Sequence, residues 1–303
     1  MRFKYLHKII VFYLFLIVFQ IDAQTNTSFW KKSDTLHIKR RNTVAITTSI
    51  LSIGSLVALN QLWYAEYPKS KFHFINDNNH WKQMDKLGHI LTTYSIGKAG
   101  MQVLNWSGIS KKNQLIYGAS FGFFYQNIIE IFDGFSKNWG ASWGDIIANA
   151  TGTGLLVGQE IIWNEQRITP KYSFHQTKYA SIRPNTLGSD FLEQSLKDYN
   201  GQTYWLSVNI WSFNKKSNFP KWLNIAVGYG ANGMLYGVDS PTNLVAQNPF
   251  RQFYLSLDID LSKVKTTSKL LQTIFSIINF IKIPSPTLEF SNRNGFTFHY
   301  LYF

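Results

Sequence analysis

The sequence predicts an α+β protein: an N-terminal bundle of about four hydrophobic helices, then an antiparallel β-rich region with one amphipathic helix. Three observations carry this expectation. Apolar stretches of about 20 residues, the length of a helix that matches hydrocarbon thickness, recur between positions 43 and 162. Beyond residue 200 the apolar period becomes two. Residues 269–282 then return to a helical period. A small or incomplete β-barrel is the alternative for the C-terminal half.

At the N-terminus, Arg2, Lys4 and Lys8 precede an uncharged apolar run over 9–19, and Ile21-Asp22-Ala23 has the form of a cleavage site. Residues 1–23 therefore read as a signal peptide, too short to span a bilayer. Residues 24–42 form a basic polar segment in which Lys31, Lys32, Lys39, Arg40 and Arg41 cluster. Such a cluster suits anionic head groups, at about 1 kcal/mol per basic residue. The formal charge of +13 would otherwise suggest nucleic acid, but export removes the protein from that partner. With 45% hydrophobic and 16% charged residues, disorder is excluded. With no cysteine, so are disulfides, thiolate metal sites, a cysteine nucleophile and a lipid-modified cysteine.

The predicted helical domain covers 43–165, with apolar stretches at 43–62, 84–105, 113–132 and 144–162. Trp63, Trp81, Trp106, Trp143 and Trp163 stand at stretch ends, where an amphipathic ring suits a membrane interface. Gly118 with Gly122, Gly154 with Gly158, and Ala148 with Gly152 have the spacing of close helix contacts. Charges embedded in the stretches, including Lys98 and Glu160, favour helices that pack mainly on each other and touch the bilayer partly.

Residues 166–200 are polar, contain Pro170, Pro184 and Gly188, and read as a connector. In 201–303, Leu206 and Val208, then Leu223, Ile225, Val227 and Tyr229, then Phe253, Leu255, Leu257 and Ile259 alternate with small or polar residues. The last strand sets Phe296, Phe298, Tyr300 and Tyr302 on one face and ends at Phe303, resembling the C-terminal end of outer-membrane proteins. The simpler arrangement is a sheet covered by the amphipathic helix.

Candidate chemistry lies inside the helical half. Asp85 and His89 are four apart and share a helix face, with Lys86 beside them. Glu130 and Asp133 end the third stretch, and Asp145 and Asn149 begin the fourth, where Ser142 fits an N-cap with Asp145 completing an acidic capping box. Asp85, His89, Glu130 and Asp145 are the catalytic candidates. Lys86, Asp133 and Asn149 complete a binding or structural polar cluster. Polar groups in an apolar bundle pair with each other, so one polar centre is expected.

These residues, Asp85-Lys86-x-x-His89, Glu130 and Ser142-x-x-Asp145-x-x-x-Asn149-x-x-Gly152, resemble the YfiM-type family of predicted envelope proteins of unknown function. They are more distantly similar to the VanZ-like membrane family. The likeness covers about residues 80–160 and implies an envelope setting with a polar centre. YfiM-type proteins are predicted lipoproteins, and this chain has no cysteine to carry a lipid.

Two functions are then expected in order. The first is an exported, membrane-associated envelope component, at the outer membrane or its periplasmic face, that binds lipid or other envelope proteins without catalysis. The second is a membrane-seated hydrolase or transferase for a lipid-linked substrate, with His89 as acid or base. No spacing motif specifies a metal ion, and no P-loop, HExxH, nucleophile elbow or dinucleotide fingerprint is present. Neither metal nor cofactor is expected from motifs.

Overall fold

The computed structural model describes residues 29–64, 67–238 and 248–303. The expected signal peptide lies outside the described residues. Helix α1 (Ile38–Leu59) begins earlier than its apolar run, because His37 Nδ1 accepts from Arg40 N and carries the helix through the basic residues. The Arg40 guanidinium is buried, donates to the carbonyls of Lys31 and Trp106, and lies 4.5 Å over the Trp106 ring. Further along, Ile46, Ile50, Ile53 and Val57 are exposed. The four-helix bundle expected from the sequence is therefore a three-helix core with α1 largely outside it. Apolar length alone could not distinguish the two, since α1 shows no polar stripe to orient it. Among the described residues, α1 is the one helix long and apolar enough to cross a membrane.

The core consists of α2 (Met84–Trp106), α3 (Ser120–Gly134) and α4 (Trp143–Trp163), with a π-helical run, Gln114–Ala119, leading into α3. Two glycines set the helix separation. A Cβ on Gly122 would stand 2.2 Å from the Thr93 carbonyl oxygen, and one on Gly152 would stand 2.4 Å from that of Ile90. Close backbone approach is what small residues allow. Gly154 and Gly158, expected at a helix contact, instead face open space. Tyr94, Met101, Ala119 and Leu156 fill the apolar part of the core. Of the embedded charges, Lys98 sits over the Tyr94 ring and Glu160 pairs with Lys111. On the outside, Phe124, Ile131, Ile147, Ile161 and Ile162 are exposed.

A two-residue parallel pair, β1 (Phe74–Ile75) with β2 (Ala141–Ser142), ties the loop before α2 to the start of α4. The main sheet is antiparallel, with strands in sequence order: β3 (Ile168–Phe174), β4 (Gln202–Asn209), β5 (Leu223–Asn232), β6 (Phe250–Ile259), β7 (Ser285–Ser291) and β8 (Gly295–Tyr302). The stretch expected as a connector thus contributes a strand. Its inward residues, Thr169, Lys171 and Ser173, are buried yet polar, and this hides the alternation that marks a strand.

The sheet is inverted relative to a water-soluble one. One side buries Lys171, Ser207, Asn224, Asp258, Thr287 and Glu289, while Val227, Phe253, Leu255, Leu257, Phe290 and Phe298 are exposed on the other. Lys171 and Asp258, both fully buried, form an ion pair of 2.8 Å, and Ser207 donates to the same carboxylate. The amphipathic helix α5 (Lys269–Ile278) does not cover the apolar face. Its Ser276 accepts from Gln102 on α2, and Leu270, Ile274 and Ile277 remain exposed. Among the described residues no ladder joins β3 to β8, and the free edge of β3 bonds the chain at Phe280 and Lys282 through Tyr172. A register shift pairs Ser285 with Tyr302 but Thr287 with His299. The extra residue turns Tyr302 away from the outward face of Phe296, Phe298 and Tyr300. The Tyr302 hydroxyl instead meets those of Thr203 and Tyr254 inside the sheet.

Candidate functional site

Helix α2 is entered through three consecutive left-handed residues, Trp81, Lys82 and Gln83, with φ of 46°, 51° and 67°. Such residues cost about 1–3 kcal/mol each and persist only where surrounding contacts fix them. Here Trp81 N donates to the Gly237 carbonyl, Tyr229 donates to that of Lys82, and Arg251 donates to the Gln83 side chain. The turn delivers Asp85, Lys86 and His89 from α2 toward Glu130 of α3 and Asp145 and Asn149 of α4.

Lys86 Nζ lies 2.6 Å from Asp77 Oδ1 and 2.9 Å from Asp145 Oδ1. His89 Nε2 lies 3.9 Å from Asp85 Oδ1, 3.7 Å from Glu130 Oε1 and 3.9 Å from Asp145 Oδ1. Its other nitrogen, Nδ1, is 3.0 Å from Asn149 Oδ1, which also accepts from Thr93. Tyr199 donates to Asp85 at 2.7 Å. Ser142 caps α4 as expected, its Oγ accepting from Asp145 N at 3.2 Å. The reciprocal half of the capping box differs, because Ser142 N donates to Glu130 at 3.0 Å rather than to Asp145. The Asp145 carboxylate is thereby free to face Lys86. Asp133 lies off this centre and accepts from Tyr64 at 2.7 Å.

Electrostatics follow from burial and from the excess of carboxylates. Burial pushes Glu130 up to about 8 and Asp145 up to about 7, with Asp85 adding to the latter. Burial also raises Asp133 to about 6. For His89, burial favours the neutral ring, but Asp85, Asp145 and Glu130 outweigh it and its pKa is raised. Lys86 is likewise raised, Asp85 and Asp77 overcoming desolvation. Strongly shifted groups beside a cleft mark a functional-site candidate.

The cleft is a cavity of about 570 Å³ between α2 and the sheet. Asp85 and His89 line it together with apolar residues such as Leu91, Phe174, Leu196 and Phe303 and neutral polar ones such as Gln126, Ser195, Tyr199 and Gln202. The sequence brought Asp85, Lys86, His89, Glu130, Asp145 and Asn149 to notice, and the fold gathers these six. Reading the sequence missed Asp77, Thr93 and Tyr199. Asp77 had a local signal, a lone acid in a polar loop just before α2. Tyr199 had none, since its partner is 114 residues away.

Residues 73–158 match a family described as predicted periplasmic lipoprotein (DUF2279). The match supports an exported, envelope setting and an uncharacterised domain, and it contains Asp77 and all seven candidate residues. The YfiM-type and VanZ-like names rest on the motif alone. No curated protein and no solved structure matches the chain. The sheet, Tyr199 and the sheet wall of the cavity lie outside the matched segment.

Proposed function

We propose that the protein is a membrane-seated envelope component that binds an amphiphile, with the acyl part in the cavity and the polar part at Asp85 and His89. The single observation that carries this reading is the cavity itself. Leu91, Phe174, Phe191, Leu196, Phe280, Ile281 and Phe303 give it a largely apolar wall, Gln126, Ser173, Ser195 and Gln202 add neutral polar groups, and Asp85 and His89 are the acid and base among its lining residues, the pattern of a site that binds by burial and orients by a few polar groups. Membrane seating is supported by the inverted sheet, whose buried side is charged and whose exposed side is leucine and phenylalanine. Water would penalise that distribution and lipid would favour it. The outer membrane and its periplasmic face fit an open, outward-apolar sheet of this kind.

A second reading, hydrolysis or group transfer on the polar part of the amphiphile, is favoured by one observation. A purely structural network satisfies its buried groups, yet Glu130 Oε1 has no hydrogen-bond partner. His89, positioned through Nδ1, would then act as base or acid through Nε2.

The binding reading is tested with purified protein in detergent and a fluorescent phospholipid. Leu91→Trp fills the cavity from α2 without touching the acid–histidine centre. Saturable binding that weakens at least tenfold in Leu91→Trp is expected. Binding unchanged by Leu91→Trp would overturn the reading.

A further inference from the structure

The acid–histidine centre gathers more carboxyl groups than cationic side chains. Four carboxylates, Asp77, Asp85, Glu130 and Asp145, face one lysine and one histidine. Lys86 engages Asp77 and Asp145, on one side of the cluster. Three carboxylate oxygens, one of them the Asp145 Oδ1 that Lys86 also engages, stand 3.7–3.9 Å from His89 Nε2, too far for hydrogen bonds. Glu130 is only 3% exposed, and its Oε1 accepts no hydrogen bond while aimed at this point. A buried polar oxygen without a partner is costly.

The histidine is held through its far nitrogen, with the near one turned to these groups. Asn149 Oδ1 accepts from Thr93 and faces His89 Nδ1, so Nδ1 carries a hydrogen and Nε2 points among the carboxyl groups, where a bound cation would take the place of its proton. Holding one ring nitrogen with an oxygen acceptor while the other faces anionic oxygens is how proteins orient a metal-binding histidine. Donor atoms of Asp85, His89 and Asp145 all lie within 4.8 Å of one another. A tetrahedral centre with bonds of about 2.1 Å holds its donors roughly 3.4 Å apart, so the gaps of 3.7–3.9 Å between His89 Nε2 and the oxygens of Asp85, Glu130 and Asp145 would shorten by a few tenths of an ångström, and the widest gap, up to 4.8 Å, by more than an ångström, to close the shell around an ion.

We propose that Asp85, His89, Glu130 and Asp145 form a binding site for one divalent transition-metal ion. Three carboxylates with one imidazole suit Mn²⁺ or Zn²⁺ better than a purely oxygen-ligated Ca²⁺ or Mg²⁺. Lys86 lies beside the shell, 2.6 Å from Asp77 Oδ1 and 2.9 Å from Asp145 Oδ1, and would keep Asp77 while yielding Asp145 to the ion. Asp85 and His89 also line the cavity, which gives the ion a route of entry and a face open to a ligand. The site stands on the cluster alone and holds whether or not the cavity binds an amphiphile.

The test uses the full chain in detergent, stripped with EDTA and dialysed against micromolar Mn²⁺ or Zn²⁺. Elemental analysis should give one equivalent of metal per chain, with a rise in melting temperature that Ca²⁺ and Mg²⁺ do not reproduce. Glu130→Gln and His89→Ala should each weaken binding at least tenfold, while Asp133→Asn, outside the shell, should bind as the unsubstituted protein does. Should a ligand variant fail to fold, pulsed paramagnetic resonance on the Mn²⁺-loaded unsubstituted protein provides the independent measurement. Coupling to an imidazole nitrogen is expected there. Less than a tenth of an equivalent bound, no nitrogen coupling, or a folded Glu130→Gln variant that binds undiminished would each overturn the proposal.

Discussion

His89 Nδ1 lies 3.0 Å from Asn149 Oδ1, and this contact fixes which nitrogen of the ring faces Asp85, Glu130 and Asp145. The same Asn149 oxygen accepts from the Thr93 hydroxyl at 3.1 Å. A helix-to-helix hydrogen bond between α2 and α4 therefore determines the chemistry available at Nε2.

Asn149→Ala should release the ring and leave two buried donors, on Thr93 and His89, unpaired. A loss of about 1–3 kcal/mol is expected for an unsatisfied buried polar group. Denaturant unfolding measures the loss. Asn149→Asp, which retains an acceptor at the same place, should recover part of it. A fully stable Asn149→Ala protein would count against the tautomer assigned here.

Lys86→Met should be more damaging, because it leaves Asp77 and Asp145 without the cation at 2.6 and 2.9 Å. Removing one partner of a buried ion pair typically costs about 3–5 kcal/mol. The melting temperature and the abundance in the membrane fraction should both fall. Equal stability in Lys86→Met would mean that the pair is solvated rather than buried.

Asp133 gives a signed pH dependence. Its carboxyl titrates near 6 in the folded protein, against 3.8 for the ordinary side chain, because burial disfavours the anion. Between those values the native state holds a proton that the unfolded chain has lost. Stability from this group therefore falls as pH rises from about 4 to 6 and stays low above. Asp133→Asn keeps an acceptor for Tyr64, so it should melt higher than the unsubstituted protein at pH 7. The difference should vanish at pH 4. A larger difference at pH 4 than at pH 7 would reverse the sign and refute the assignment.

Two glycine substitutions separate packed from open faces of the helices. Gly152→Ala forces a Cβ to 2.4 Å from the Ile90 carbonyl oxygen and should cost at least about 2 kcal/mol as α2 and α4 move apart. Gly154→Ala meets nothing within 4 Å and should stabilise by about 0.5–1 kcal/mol through lower unfolded-state entropy. Thermal denaturation of the pair decides whether α4 packs through the face described.

Leu255→Lys probes the medium around the sheet. The side chain is 51% exposed on the outer face. In water such a change is nearly neutral, whereas near a bilayer midplane it costs about 2–4 kcal/mol. Retention through a carbonate wash should fall in the variant and hold in the unsubstituted protein. Equal retention would place this face in water.

Much of the site was legible because it depends on local spacing. Asp85 with His89 and Asp145 with Asn149 are one helical turn apart, so each pair must share a face once the helix forms. An apolar surround then leaves such faces no partners but one another. The α+β division was legible for the same reason, the change of period near residue 200. Strand β3 was not, because its polar residues point into a polar interior and the usual contrast between inside and outside is reversed. Neither was Tyr302, whose face depends on a one-residue register shift between β7 and β8.

The sequence by itself determined the helix faces, the strand periods and the identity of the acid–histidine residues, all of which follow from chain geometry over a few residues. Only the tertiary structure decided that α1 stands outside the core, that Asp77 and Tyr199 join the centre, and that a cavity opens onto Asp85 and His89. Those facts depend on contacts between residues far apart in the chain. Such contacts depend on how packed surfaces fit, and no local pattern encodes that fit.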